Sequence, residues 1–204
     1  MELKCPPKRL ARRCPRRNLP STVGRKRGES NFVLAFGRAY SSLMTSCASR
    51  ARFCAGREVP VSGFGIADFI WVAWADGLGT AEGRAVAGKR LGTLSGIEIH
   101  AFEMKIRDWR RGVGQATRYR FFAHTSSLVL PPEQARAAFE ERGLFRSAGV
   151  GLISFDFTDG RIRTLLRPRR SEPLSDRAHR LVLAQIAKIT SVITAQEVIA
   201  PPRR

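Results

Sequence analysis

Apolar residues recur at three- and four-residue steps from Asn31 to about Ala55, through Phe32, Phe36, Ala39, Tyr40, Leu43, Met44 and Cys47. That spacing predicts an amphipathic helix. Glu29 and Ser30 stand at its start, where an acid suits the helix dipole. Glu58-Val-Pro-Val61 follows, and then Ile66-Ala-Asp-Phe-Ile-Trp-Val-Ala-Trp74, a β-branched and aromatic run bounded by Gly63 and Gly65. The second run predicts a strand. Six glycines between Asp76 and Gly96 predict a loop or loose hairpin.

Ile97–Ile106 is the next predicted strand, and Asp108–Ala123 a strongly basic helix. Ser127–Leu130 reads as a short strand, followed by a helix opened by Pro132 and closed by Gly143. Val150–Asp156 and Ile162–Leu166 read as strands joined through the turn Thr158-Asp-Gly-Arg161. Ser175 caps a last helix running to about Val198, before Pro201 and Pro202. Its apolar residues surround much of its surface, which suits core or a homodimer contact, core being expected. The alternation predicts an α/β fold with a mixed sheet flanked by helices.

Charge changes the picture most. Among 204 residues, 36 Lys and Arg face 17 Asp and Glu, for a net charge of +19. Such an excess favours a polyanion, nucleic acid first. Residues 1–28 carry ten of these cations against one acid, and their prolines oppose the amphipathic helix of a transit peptide. They read as a basic, disordered arm, with 29–166 as the core and 167–204 as a basic loop and C-terminal helix. No long apolar run predicts a membrane span. Cysteines at 5, 14, 47 and 54 lack zinc spacing, so reduced thiols in a cytoplasmic protein are expected.

Candidate chemistry sits in the strand Ile97–Ile106. Glu103 and Lys105 share a face with Ile97, Ile99 and Ala101, while Phe102, Met104 and Ile106 take the other. Two charges in an interior strand need a partner: each other, as a structural ion pair, or a metal. Asp68 is an acid embedded in the preceding apolar strand, and an antiparallel pairing brings it toward Glu103. Two close carboxylates call for a divalent cation, with Mg²⁺ the natural hard ion. On the following helix, Arg111, Gln115, Tyr119 and Phe122 share a face, and Arg107, Arg110 and Arg118 make the segment phosphate-seeking. The bland alternative is a core tyrosine under a solvated arginine face. His100, His124 and His179 lack partner spacing and read as ordinary polar residues. No P-loop and no Ser or Cys nucleophile motif occurs.

Gly65-x-x-Asp68, Glu103-x-Lys105 and Gln115-x-x-x-Tyr119, in that order on strand, strand and helix, resemble the active-site signature of the PD-(D/E)XK nuclease superfamily. The style is that of its RecB-type and Holliday-junction-resolvase-like branches, and the coverage runs from about Glu29 to Asp156. The resemblance implies a restriction-endonuclease-like, four-stranded mixed sheet between helices. It implies Asp68 and Glu103 as ligands of Mg²⁺ (or Mn²⁺), Lys105 as catalytic base or electrostatic partner, and Gln115 as an auxiliary catalytic residue. Arg107, Arg110, Arg111, Arg118 and Tyr119 become nucleic-acid contacts. Many members add a glutamate on the first helix, for which Glu29 is the match and Glu58 the competitor. The chain departs from the pattern in the 35 positions from Asp68 to Glu103 and in Ala67 where proline is common. The first departure makes Asp76 a rival to Asp68, but Asp76 adjoins Gly77 at a loop edge.

Two functions are therefore expected in order: a Mg²⁺-dependent phosphodiesterase acting on DNA, with basic segments 1–28 and 161–180 gripping the backbone, and a catalytically silent nucleic-acid-binding or regulatory module on the same fold. An RNA- or ribosome-associated protein is a more distant third, because net charge does not separate RNA from DNA.

Overall fold

Gly63 and Gly65 take positive φ values of 84° and 99°, a region glycine enters without steric cost. The turn they permit, closed by Phe64 N–H on Val61 O at 2.8 Å, folds Ala51–Val61 (β1) back along Gly65–Ala75 (β2). The computed structural model describes residues 25–47, 51–75 and 97–189. Among these, Ile97–Met104 (β3), Thr125–Leu130 (β4), Gly151–Asp156 (β5) and Arg161–Leu166 (β6) complete one sheet in the order β1-β2-β3-β4-β5-β6. The β3/β4 and β4/β5 pairs are parallel and the other three antiparallel. β4 is buried along its whole length, as a central parallel strand must be.

Helices cover both faces. Arg25–Cys47 (α1) lies on one. Its Phe32, Val33 and Phe36 enter a core with Phe69, Trp71, Phe102, Met104, Val129, Ile153 and Phe155. Phe36 is fully buried, with ring centroids 5.3–6.0 Å from those of Phe69, Phe102 and Phe155. A Cβ at Gly37 would stand 3.0 Å from the Phe69 ring, so glycine there sets how closely α1 approaches the sheet.

The opposite face carries Trp109–Tyr119 (α2), Pro132–Glu140 (α3), Arg142–Ala148 (α4) and Asp176–Ile189 (α5). α5 seals Ile70, Val72, Ile99 and Ala101 with its Ala178, Val182, Leu183 and Ile186. Its lean toward core is thus borne out, and Ser175 Oγ caps it by accepting from Ala178 N–H at 3.2 Å.

The mixed sheet with flanking helices is as expected, while several details are corrected. The sheet has six strands, two more than the core the resemblance implies. The first helix begins at Arg25, inside the expected arm, and ends at Cys47, so residues 51–55 belong to β1. Pairing with β2 decides that segment, and helical spacing alone could not reveal it. The helix expected from Pro132 ends at Glu140, three residues before Gly143. After a break at Glu141 (φ −98°, ψ 34°) a second helix, not expected, runs to Ala148 and is ended by Gly149 in the left-handed region. Segments 1–24, 76–96 and 190–204, which hold most of the arm, the glycine-rich stretch and the end of the last helix, lie outside the described residues. No described helix is long and apolar enough to cross a membrane.

Candidate active site

β3, β4 and β5 point their carboxyl ends to one end of the sheet, where open α/β sheets place their ligand sites. The β2/β3 ladder runs from Trp74↔Ile97 to Phe69↔Phe102 and stops there. Asp68 and Glu103 are the next facing residues, and at this point the seam opens. Met104 N–H donates to Asp68 Oδ2 at 2.7 Å, so a carboxylate takes the place of a ladder carbonyl. Lys105 N–H still donates to Val129 O at 3.1 Å and keeps β3 on β4.

Glu103 leaves β3 on the face of Ile99 and Ala101 and is completely buried. Its Oε1 pairs with Lys105 Nζ at 2.5 Å, and its Oε2 accepts a short hydrogen bond from Tyr119 Oη. Tyr119 Oη also lies 2.8 Å from Ile66 O. One phenolic hydrogen therefore serves two acceptors. Burial raises the pKa of Glu103, and the charge of Asp68 raises it further, against the pull of Lys105 and Tyr119. Burial likewise raises Asp68, reinforced by Glu29 and Glu58 and opposed by the Met104 amide and Lys105. Burial and the Glu103 carboxylate push the Tyr119 phenol up as well. The site is short of positive charge: one lysine does not offset its acids.

Above the seam opens a cavity of about 220 Å³ lined by Glu29, Ser30, Val33, Glu58, Asp68, Met104 and Lys105. Glu29 and Glu58, rivals in the sequence, both stand on its wall. Glu58 has φ 49° and interrupts β1 between the pairs Arg57↔Phe69 and Val59↔Ala67, opposite Asp68. A non-glycine residue held left-handed costs about 1–3 kcal/mol and persists where its surroundings over-determine it. Gly112 lets α2 come down on the site: a Cβ there would lie 2.7 Å from Leu128 Cδ1 and 3.0 Å from Lys105 Cγ. Asp108, itself left-handed at φ 53°, caps α2 by accepting from Arg111 N–H.

The residues expected around this centre divide. Asp68, Glu103 and Lys105 converge, and Glu29 and Glu58 join them. Gln115 is half-buried on α2, does not line the cavity, and holds a buried Oε1 without a hydrogen-bond partner among the described residues. Tyr119 is corrected: 1% exposed, it is spent on Glu103 and Ile66 and offers no ring to a nucleic acid. Arg110 is corrected in part, since Glu141 pairs with it and its guanidinium lies 4.4 Å over the Trp109 ring. Arg107, Arg111 and Arg118 are exposed.

The three histidines, spread along the sequence, meet at the other end of the sheet. Ile99 N–H donates to His124 Nδ1 at 3.0 Å, which puts the His124 proton on Nε2, 3.6 Å from Glu172 Oε2. His100 Nδ1 is 2.7 Å from Thr125 Oγ1, and the His124 and His179 rings stand 5.4 Å apart. Burial lowers the pKa of His100 and of His124. No spacing in the sequence signalled this group.

Among the described residues no set of three His, Cys, Asp or Glu side chains is arranged to hold a metal ion. Magnesium does not require one: it keeps several waters and is commonly bound through one or two carboxylates plus substrate oxygens. Asp68 and Glu103 are hard oxygen donors whose pKa values are raised by burial first and by neighbouring acids second, and a donor set of that chemistry fits such an ion. Glu103 could ligate only by exchanging Lys105 or Tyr119 for it.

No family model and no curated protein matches the chain. Among solved structures, a protein of unknown function from Silicibacter pomeroyi is similar over 76% of this chain and 84% of its own, at 14% identity and a TM-score of 0.46.

Proposed function

We propose that the chain is a Mg²⁺-dependent phosphodiesterase acting on DNA, of the PD-(D/E)XK type. One observation carries the reading: Asp68, Glu103 and Lys105 meet where β2 parts from β3, with both acids held above their ordinary pKa. A cavity walled by Glu29, Glu58 and Asp68 repels a phosphodiester, so its substrate enters only where a cation offsets those charges. Asp68, anchored through Oδ2, and Glu103 would hold that cation, and Mn²⁺ could replace Mg²⁺. A divalent cation supplies neutralisation of the two carboxylates and polarisation of a phosphoryl oxygen. Lys105 reaches the cavity with its ammonium steered by Glu103, placed to orient an attacking water or to balance charge building on the phosphate. Arg107, Arg111 and Arg118 add backbone contacts from α2 and the turn before it.

A second reading, a silent nucleic-acid-binding module, is favoured by Glu103 alone, whose two oxygens are already engaged. Incubating the full chain with supercoiled, linear, branched and single-stranded DNA in Mg²⁺, Mn²⁺ or EDTA separates the two. Metal-dependent cutting of any form supports hydrolysis. Binding without cutting across the panel selects the silent module.

A further inference from the structure

At the sheet end opposite the carboxylates, a second cavity of about 350 Å³ opens between α4, the start of β5 and the segment that leaves β6. Its polar walls are Arg146, Arg167 and Arg169, and no acid lines it. All three arginines are exposed, and none makes an ion pair among the described residues.

Their placement is built. Pro168 packs on Gly151 so closely that a Cβ there would lie 2.7 Å from Pro168 Cδ and 2.7 Å from Ser127 Oγ. Arg169 N–H donates to Gly149 O at 3.1 Å. The proline thus pins the segment and the arginines on either side of it open to solvent. Gly149, at φ 69°, forms the wall against which a fourth guanidinium rests. A Cβ there would meet Arg120 Cζ and Nη1 at 3.1 Å, and Arg120 keeps a buried Nε–H without a partner. Arg120 Nη1 donates to Ala148 O at 3.1 Å, which holds it in place.

We propose that this pocket is a phosphate-binding site for the backbone of duplex DNA, remote from the hydrolytic seam. Unpaired guanidiniums grouped without an acid match phosphate oxygens, which they meet in forked pairs. The six residues of β5 separate the pocket from the seam end of the sheet by roughly 20 Å at ~3.3 Å per residue, several base-pair steps of a duplex. A polymer can reach both ends; a single nucleotide cannot. The site serves to hold the duplex and reads no bases. For its partner, though not for its pocket, this inference rests on the DNA reading above.

The test is binding of a fluorescent duplex by the full chain in EDTA, where no turnover occurs, across a salt series. Each neutralised phosphate contributes about 0.9 to the slope of log affinity against log salt. Replacing Arg146, Arg167 and Arg169 together by Gln is expected to lower that slope by about 2–3, while Arg38→Gln, at an exposed arginine of α1 on the other face of the sheet, leaves it unchanged. Should the triple variant melt early, Arg146→Gln alone is expected to lower the slope by about 1. An unchanged slope in the folded variants, or an equal fall per arginine in the Arg38 control, overturns the proposal. Inorganic phosphate that binds wild type but not the Arg146 variant, with the duplex salt slope equal in both, reassigns the pocket to a small anion and also overturns it. A wild type that cuts no DNA in Mg²⁺, while the triple variant still lowers the slope, would instead count against the hydrolytic seam alone.

Discussion

Lys105 Nζ lies 2.5 Å from Glu103 Oε1, and the two meet because residues two apart on a strand share a face. Glu103 is sealed from solvent while Lys105 keeps a partial opening to the cavity. The pair therefore joins the closed interior of the sheet to the surface where a substrate would lie. Removing either member alone leaves the other charge without its counterpart, and that asymmetry makes the arrangement testable.

Lys105→Met is expected to destabilise the fold by about 2–4 kcal/mol, the lower part of the range for breaking a buried pair because Lys105 retains some solvent. Adding Glu103→Gln should return most of that loss. Urea denaturation of the two single variants and the double variant measures the coupling. Strict additivity would mean the pair is not coupled.

Tyr119→Phe removes the hydroxyl shared by Glu103 Oε2 and Ile66 O, leaving buried acceptors without a donor. A loss of about 1–3 kcal/mol is expected on that ground. A variant as stable as wild type would show the hydroxyl to be idle.

Asp68 and Glu103 both have raised pKa values, so the folded state holds their protons above the pH at which the unfolded chain releases them. Their contribution to stability is fully present below the unfolded pKa values and is lost as pH rises from there through the folded ones. In EDTA at neutral pH, Asp68→Asn should therefore stabilise the protein. Magnesium should raise the melting temperature of wild type, by about 2.7 kcal/mol equivalent at a hundredfold excess over its dissociation constant, and leave Asp68→Asn unmoved. Equal shifts in both proteins would place the ion elsewhere.

His100 and His124 shift the other way, with folded pKa values lowered by burial. Their contribution is present above the unfolded value near 6.5 and declines as pH falls from there through the folded values. His124→Asn keeps an acceptor for the Ile99 amide but cannot take up a proton. Its stability below pH 6.5 should fall less steeply than that of wild type, read from melting temperatures across the acid limb. Parallel curves would exclude His124 as a source of the acid loss.

The strand chemistry was legible because a period of two is a strong signal. It put Glu103 and Lys105 on one face, and the apolar setting of Asp68 marked an acid aimed at a protected place. Gln115 and Tyr119 were legible as one helix face, but the use of Tyr119 was not, since its partners lie 16 and 53 residues away. Glu58 carries no local mark of its left-handed backbone, which the pairing of β1 with β2 imposes. Residues 51–55 followed a helical pattern until a strand partner claimed them. The break at Glu141 falls two residues before Gly143, which reads as a helix stop, but nothing local shows that Gly143 lies inside a second helix instead of a loop. The histidine cluster depends on the segment after β6 crossing beneath β3 and β4, where Ser171 N–H donates to His124 O at 3.1 Å. No spacing rule reaches that far.

The most direct test of the hydrolytic seam is a cleavage assay on whichever DNA form binds, with wild type, Asp68→Ala and Lys105→Ala side by side in Mg²⁺. Cutting by wild type alone, with both variants still folded and binding DNA within about threefold of it (a difference under 1 kcal/mol), is the expected result. Cutting that survives in either variant would contradict the account.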